Sequence, residues 1–119
     1  MKFKTSELAG FKLDLAVAKA EGEQAELNHG EVVTWKTIAY QEYRLVWRPS
    51  TEWAQGGPII EREGIELNRL GSGWMATLTK GPAVSEEIGP TPLVAAMRAY
   101  VASQLGDEVE LTESEMEDA

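Results

Sequence analysis

Apolar positions along the chain follow a helical spacing, then a strand spacing, then a helical one again. Residues 5–21, TSELAGFKLDLAVAKAE, predict a helix capped by Thr5 or Ser6 and stopped at Gly22. At about 100° per residue, Leu8, Phe11, Leu15 and Ala18 form one stripe, and Leu13, Ala16, Val17 and Ala20 form a second. Lys12, Asp14, Lys19 and Glu21 divide the two stripes, so this helix is expected to have apolar neighbours on both sides. From residue 31 the period drops to two. EVVTWKTI and EYRLVWRP read as strands, the second with Tyr43, Leu45 and Trp47 on one face, and Pro49 ends it. GIEL (64–67) and GWMATLT (73–79) give two more, joined by the hairpin loop NRLGSG.

A second helix is written most clearly, over 91–105. Thr91 is a natural N-cap, Pro92 suits the first helical position, and Gly106 supplies the stop. Leu93, Val94, Met97, Tyr100, Val101 and Leu105 make its core face. Its other side, Ala95, Ala96, Ala99, Ala102 and Ser103, is small and uncharged, which predicts close packing against the first helix or a second copy of the chain. The expected fold is α+β: an antiparallel sheet of about four strands with two helices, about 5–21 and 91–105, packed on it. One unit is expected over 1–106, followed by a frayed acidic tail at 107–119.

Composition narrows the possibilities. The chain has 119 residues and is 43% hydrophobic, enough for one core. No run approaches the ~18 apolar residues of a membrane span, and MKFKTSELAG lacks the core of a signal peptide; a soluble, cytoplasmic protein is expected, with no membrane partner. The absence of cysteine excludes disulfides, thiolate metal sites and cysteine nucleophiles. The net charge is −9, but the last fourteen residues hold seven of the twenty acids and no base, so the body is nearly neutral. That balance argues against nucleic acid, which needs a basic footprint, while leaving room for a small anion.

Chemistry-bearing residues cluster in two places. STEWAQGGP at 50–58 sets Trp53, a flat ring for stacking, among Ser50, Thr51 and Gln55 and ahead of Gly56 and Gly57, which permit positive φ and close backbone approach. This is either a structural loop with Trp53 in the core or a recognition loop. Arg44 and Arg48 face the same way on the preceding strand and would add positive charge. At the second helix start, Thr91 and the backbone amides suit a phosphate or carboxylate, with Arg98 two turns along as a clamp or, alternatively, paired with Glu61 or Glu63. His29 stands alone in an NHG turn; with no second histidine and no cysteine, a Ser–His pair or a nitrogen-rich metal site cannot form. No catalytic residue, metal or cofactor is expected.

The phrases STEWAQGGPIIEREGIEL, GPTPLVAAMRAYVASQLGDEVE and MKFKTSELAGFKLDLAVAKAEG resemble the NinX family of lambdoid phages and prophages, over most of the chain outside 23–48 and the acidic tail. The resemblance implies a phage accessory protein working in a bacterial cytoplasm, and it carries no assigned reaction. A small non-enzymatic phage protein with a stacker, neutral donors and an arginine suits a sponge for a nucleotide-type defence signal, a cyclic nucleotide or ADP-ribose derivative. The expected site is Arg48, Ser50, Thr51, Trp53, Gln55, Gly56, Gly57, Thr91 and Arg98, in a homo-oligomer, a dimer by preference, whose pocket lies between subunits. The alternative is an acidic interaction module that occupies a host protein.

Overall fold

The computed structural model describes all residues except 113–115 and 117–119. Its elements in chain order are β1 (Lys2–Lys4), a 3-10 turn (Thr5–Glu7), α1 (Gly10–Ala20), β2 (Ala25–Asn28), β3 (Glu31–Ile38), β4 (Gln41–Val46), α2 (Trp53–Glu63), β5 (Glu66–Leu70), β6 (Gly73–Lys80), β7 (Ala83–Gly89), α3 (Pro92–Leu105) and β8 (Glu108–Glu110). The fold is α+β with antiparallel pairing throughout, but the strands divide into three sheets: β2-β3-β4, β5-β6-β7, and the pair β1-β8.

The four strands anticipated from alternation are β3, β4, β5 and β6. Four further strands and α2 carry no such pattern. β1, β2 and β8 are too short to show one, and β7 places Glu86 and Glu87 in succession.

Both terminal expectations shift. The first helix starts at Gly10, not Thr5, because Leu8 and Ala9 are extended and Gly10 has φ +57°. Thr5 is buried, and its hydroxyl donates to Gly106 O at 2.7 Å while its amide donates to Asp107 O at 2.8 Å. The chain end is likewise less loose than an acidic tail suggests. Glu108–Glu110 pair with Lys2–Lys4, and Val109 and Leu111 are buried in the core. The alternation in VEL points its two apolar side chains inward and Glu110 outward, where it meets the Met1 ammonium at 2.8 Å. The remainder of the expected tail, apart from Thr112 and Met116, lies outside the described residues.

α1 and α3 pack side by side, α1 covering β2 and β3 and α3 covering β6 and β7. Leu13, Leu15, Ala16 and Val17 of α1 share one buried cluster with Leu27 and Val32 of the first sheet and Ala96, Met97, Tyr100 and Val101 of α3. α3 is apolar almost all round because it is enclosed almost all round. Its alanines Ala95, Ala96 and Ala99 are fully buried within the chain. Gly89 comes so close to the helix that a Cβ there would lie 2.6 Å from Ala95 N. Most of the small face of α3 is therefore an internal contact, the first of the two packings expected for it, while Ala102 and Ser103 stay half-buried.

At the ends of α1, α2 and α3 a polar pin completes the body. Arg62 donates to Glu21 Oε2 at 2.7 Å and Oε1 at 3.2 Å, and to Glu63 Oε2 at 2.8 Å. Tyr100 Oη donates to Glu21 Oε2, and Lys80 meets Glu63 at 3.0 Å. Burial and the Glu21 carboxylate together hold the Tyr100 phenol well above its ordinary pKa.

Candidate functional site

Of the nine residues 50–58, only 50–52 are a turn, and the other six are helical. Arg48 O accepts from the amides of Thr51 and Glu52 at 3.1 and 2.8 Å, turning the chain, and α2 begins at Trp53. Gly56 and Gly57 are helical, without the positive φ expected of them. Gly, Gly and Pro in a row are poor helix formers, so tertiary contacts hold this helix. Gln55 is one of them: its Oε1 accepts from Arg48 N, and its Nε2 donates to Val46 O at 2.7 Å, tying α2 to the end of β4. Gly56 is another. A Cβ there would stand 2.6 Å from Leu93 Cδ2 and closer still to Pro49 O, so only glycine lets α2 seat against the turn and α3. At Gly57 a Cβ would meet nothing nearer than Trp53 Cε3 at 3.8 Å. Gln55, Gly56 and Gly57 are thus placed in the helix scaffold rather than in a binding loop.

The turn Arg48–Glu52 separates two clefts. The first, about 240 Å³, has Ser50, Thr51 and Trp53 on one wall and Thr91 to Val94 on the other. Trp53 is 54% exposed at its edge, outside the core. Thr91 Oγ1 accepts from Val94 N at 3.1 Å, capping its own helix as its sequence position predicts. Pro92 has no amide, so at this helix start the Leu93 N–H is the donor without an intrahelical acceptor. Ser50 is buried, and its hydroxyl, like its amide, acts on the Asp14 carboxylate behind the turn.

The second cleft, about 230 Å³, lies on the far side of Thr51, which lines both. Arg48 is here rather than beside Trp53, and its Nη2 meets Glu31 Oε2 at 3.0 Å. The wall also contains Asp14, a residue that sequence reasoning placed on the polar divide of the first helix. It is buried, and Ser50 N donates to its Oδ1 at 2.9 Å. Burial pushes the Asp14 carboxyl up to about 6, against the opposing pull of the Ser50 amide and hydroxyl and the Arg48 charge. The only sequence signal for it is a carboxylate between two leucines, Leu13 and Leu15, on a helix expected to be covered on both sides.

Arg98 is elsewhere. Its Nε donates to Leu8 O at 2.8 Å and its Nη1 to Ile88 O at 2.7 Å, so the guanidinium fastens α3 to the 3-10 turn and to β7. It does not line the Trp53 cleft, and Glu63, one of the two partners suggested for it, is paired with Arg62 and Lys80 instead. Two turns along a helix is about 11 Å, enough to carry Arg98 away from Thr91 on the same face. His29 occupies the β2–β3 turn, exposed and with φ +53°.

Of the expected residues, then, Ser50, Thr51, Trp53 and Thr91 converge on one cleft within a single chain. Arg48 opens to its neighbour across Thr51, and Gln55, Gly56, Gly57 and Arg98 support the frame. Among the described residues no helix is long and apolar enough to cross a membrane. No curated protein matches the chain. The family model described as "Bacteriophage P22, NinX" matches residues 4–104, a span that takes in both helices bordering the Trp53 cleft, and the chain therefore belongs to the NinX phage family.

Proposed function

We propose that this phage protein is a non-enzymatic sponge that binds and sequesters a small nucleotide-type signal of the host, a cyclic nucleotide or ADP-ribose derivative, in the infected cell's cytoplasm. One observation carries the reading. The half-exposed Trp53 ring borders a cleft whose other resources are the Thr51 hydroxyl and the start of α3. A π-face beside neutral donors suits a heterocyclic base, and a helix start suits negative charge.

The volume limits how the ligand sits. About 240 Å³ takes one ring system, below the range of whole drug-sized ligands. In this reading the base stacks on Trp53 while the phosphates run outward over Thr51 toward Arg48, which lines the cleft on that residue's far side. Arg98 has no part in it. The site is complete within one chain.

The test is a thermal-shift screen of the full chain against cyclic dinucleotides and ADP-ribose derivatives. Mass action raises stability by about 2.7 kcal/mol at a hundredfold excess over Kd, so the wild type should melt higher with its ligand and Trp53→Ala should respond to none. Ligand recovered unchanged after heating separates a sponge from an enzyme. Truncation after Thr112 should leave the shift intact, whereas a module docking on a host protein through its acidic end would lose that activity. A wild type that responds to no nucleotide overturns the reading.

A further inference from the structure

The hairpin of β3 and β4 carries an open strand edge with its own chemistry. Val33 is registered with Val46, so Val32 stands opposite Trp47, and Trp47 N donates to Val32 O at 2.8 Å. Antiparallel pairs alternate between those that exchange hydrogen bonds and those that do not. Counting back in twos, Leu45, Tyr43 and Gln41 turn their backbone groups toward β3, while Val46, Arg44 and Glu42 turn theirs outward. β4 is the last strand of its sheet. At its root the outer edge is closed by Gln55, whose side-chain amide takes Arg48 N and Val46 O much as a neighbouring strand would. Beyond Gln55, the amides and carbonyls of Glu42 and Arg44 face outward with no strand beside them among the described residues.

We propose that β4 pairs antiparallel with β4 of a second copy of this chain, about a two-fold axis through Tyr43, to make one six-stranded sheet from two three-stranded ones. Charge selects the register. Outward groups meet outward groups when the axis passes through Glu42, Tyr43 or Arg44. An axis at Glu42 sets carboxylate against carboxylate. One at Arg44 sets guanidinium against guanidinium and also requires the Val46 carbonyl that Gln55 already holds. The axis at Tyr43 sets Glu42 against the partner's Arg44 and Arg44 against the partner's Glu42, satisfying all four outward backbone groups of each copy. Opposite charges directly across a strand pair stabilise it and like charges destabilise it. The overlap then ends at Leu45, one residue short of the edge that Gln55 covers.

Exposure agrees with this use. Tyr43, 49% exposed, would lie directly across from its counterpart at the axis, and Ile38, 61% exposed, shares that face of the sheet. β4 has no proline or bulge to blunt its edge, the usual protection of a strand not meant to pair. The proposal rests on atoms distinct from the Trp53 cleft and stands or falls separately from the ligand.

Light scattering on the full chain over a concentration series decides it. The wild type should approach twice its 13.1 kDa mass. Each single reversal, E42R or R44E, places like charges across the axis twice and should raise the dimer dissociation constant roughly tenfold. The double reversal E42R/R44E restores both opposite pairs and should return the constant to near its wild-type value. R44P removes an outward N–H and leaves the β3 side of the ladder intact, so it should give a folded monomer. If R44P does not fold by circular dichroism, the three charge variants still decide. A wild type that stays monomeric throughout, single reversals that leave the constant unchanged, or a double reversal that fails to recover would each overturn the proposal.

Discussion

The two three-stranded sheets share a topology and differ in use. β5-β6-β7 lies along α3 for its full length, with Ala76 and Leu78 of the middle strand pressed into the core and the other face in solvent. β2-β3-β4 is packed only at its root, through Leu27 and Val32 to Thr34. Past Thr34 every residue of β3 is exposed, whichever face it is on, and the Ala39–Tyr40 tip has both residues at positive φ, a turn ordinarily taken by Asn-Gly. One sheet is a wall of the core. The other is an arm held at its base. An arm that spends Trp35, Ile38, Tyr40 and Tyr43 on solvent gains little stability from them.

Substitutions in the two sheets should expose this difference most strongly. Leu78→Ala in the wall leaves a cavity under α3 and should cost about 2–5 kcal/mol in urea unfolding. Ile38→Ala in the arm should stay within about 0.5 kcal/mol when measured on dilute protein. Equal losses at both positions would mean that the arm is part of the core.

The seam between the sheets gives the next largest effect. Gly56→Ala forces a methyl against Pro49 and Leu93 and should cost about 1–3 kcal/mol. Gly57→Ala, in ordinary contact with the Trp53 ring, should be neutral or stabilise by up to about 1 kcal/mol, since alanine suits a helix better. Matching thermal melts of the two variants would sink this account of the seam.

Smallest, and dependent on pH, is Asp14 beneath the same turn. Its folded pKa, about 6, lies above the ordinary range of an aspartate. The protonated carboxyl is therefore the form the fold favours; its contribution is fully present below about pH 4 and is lost as pH rises through 6. Asp14→Asn keeps an acceptor for Ser50 N without the charge. It should be about 1–2 kcal/mol more stable than the wild type at pH 7.5, with the difference fading toward pH 4. A difference that is constant with pH would mean that Asp14 is not buried as described.

The sequence made the fold class and α3 legible because those signals are local. Thr91, Pro92 and Gly106 punctuate a helix without reference to anything else, and EVVTWKTI matches β3 residue for residue. α2 was hidden because Gly-Gly-Pro argues against a helix, and the compensating contacts, Gln55 to β4 and Gly56 to Pro49 and Leu93, join residues from separate elements. The candidate site was half legible for the same reason. An exposed tryptophan among hydroxyls and a capped helix start can be picked out from composition, and they do converge. The direction of a guanidinium cannot, since Leu8 O and Ile88 O, which hold Arg98, are 90 and 10 positions away along the chain.

By itself the sequence determined which segments alternate, which helix is enclosed by apolar neighbours, and which family the chain resembles, all consequences of side-chain type at short range. Only the tertiary structure decided that Asp14 is buried, that Arg48 and Trp53 open to opposite sides of one turn, and that the β4 edge is closed at Gln55 and open beyond it. Burial, direction and edge exposure depend on where distant segments stop, and no periodicity along a single chain records that.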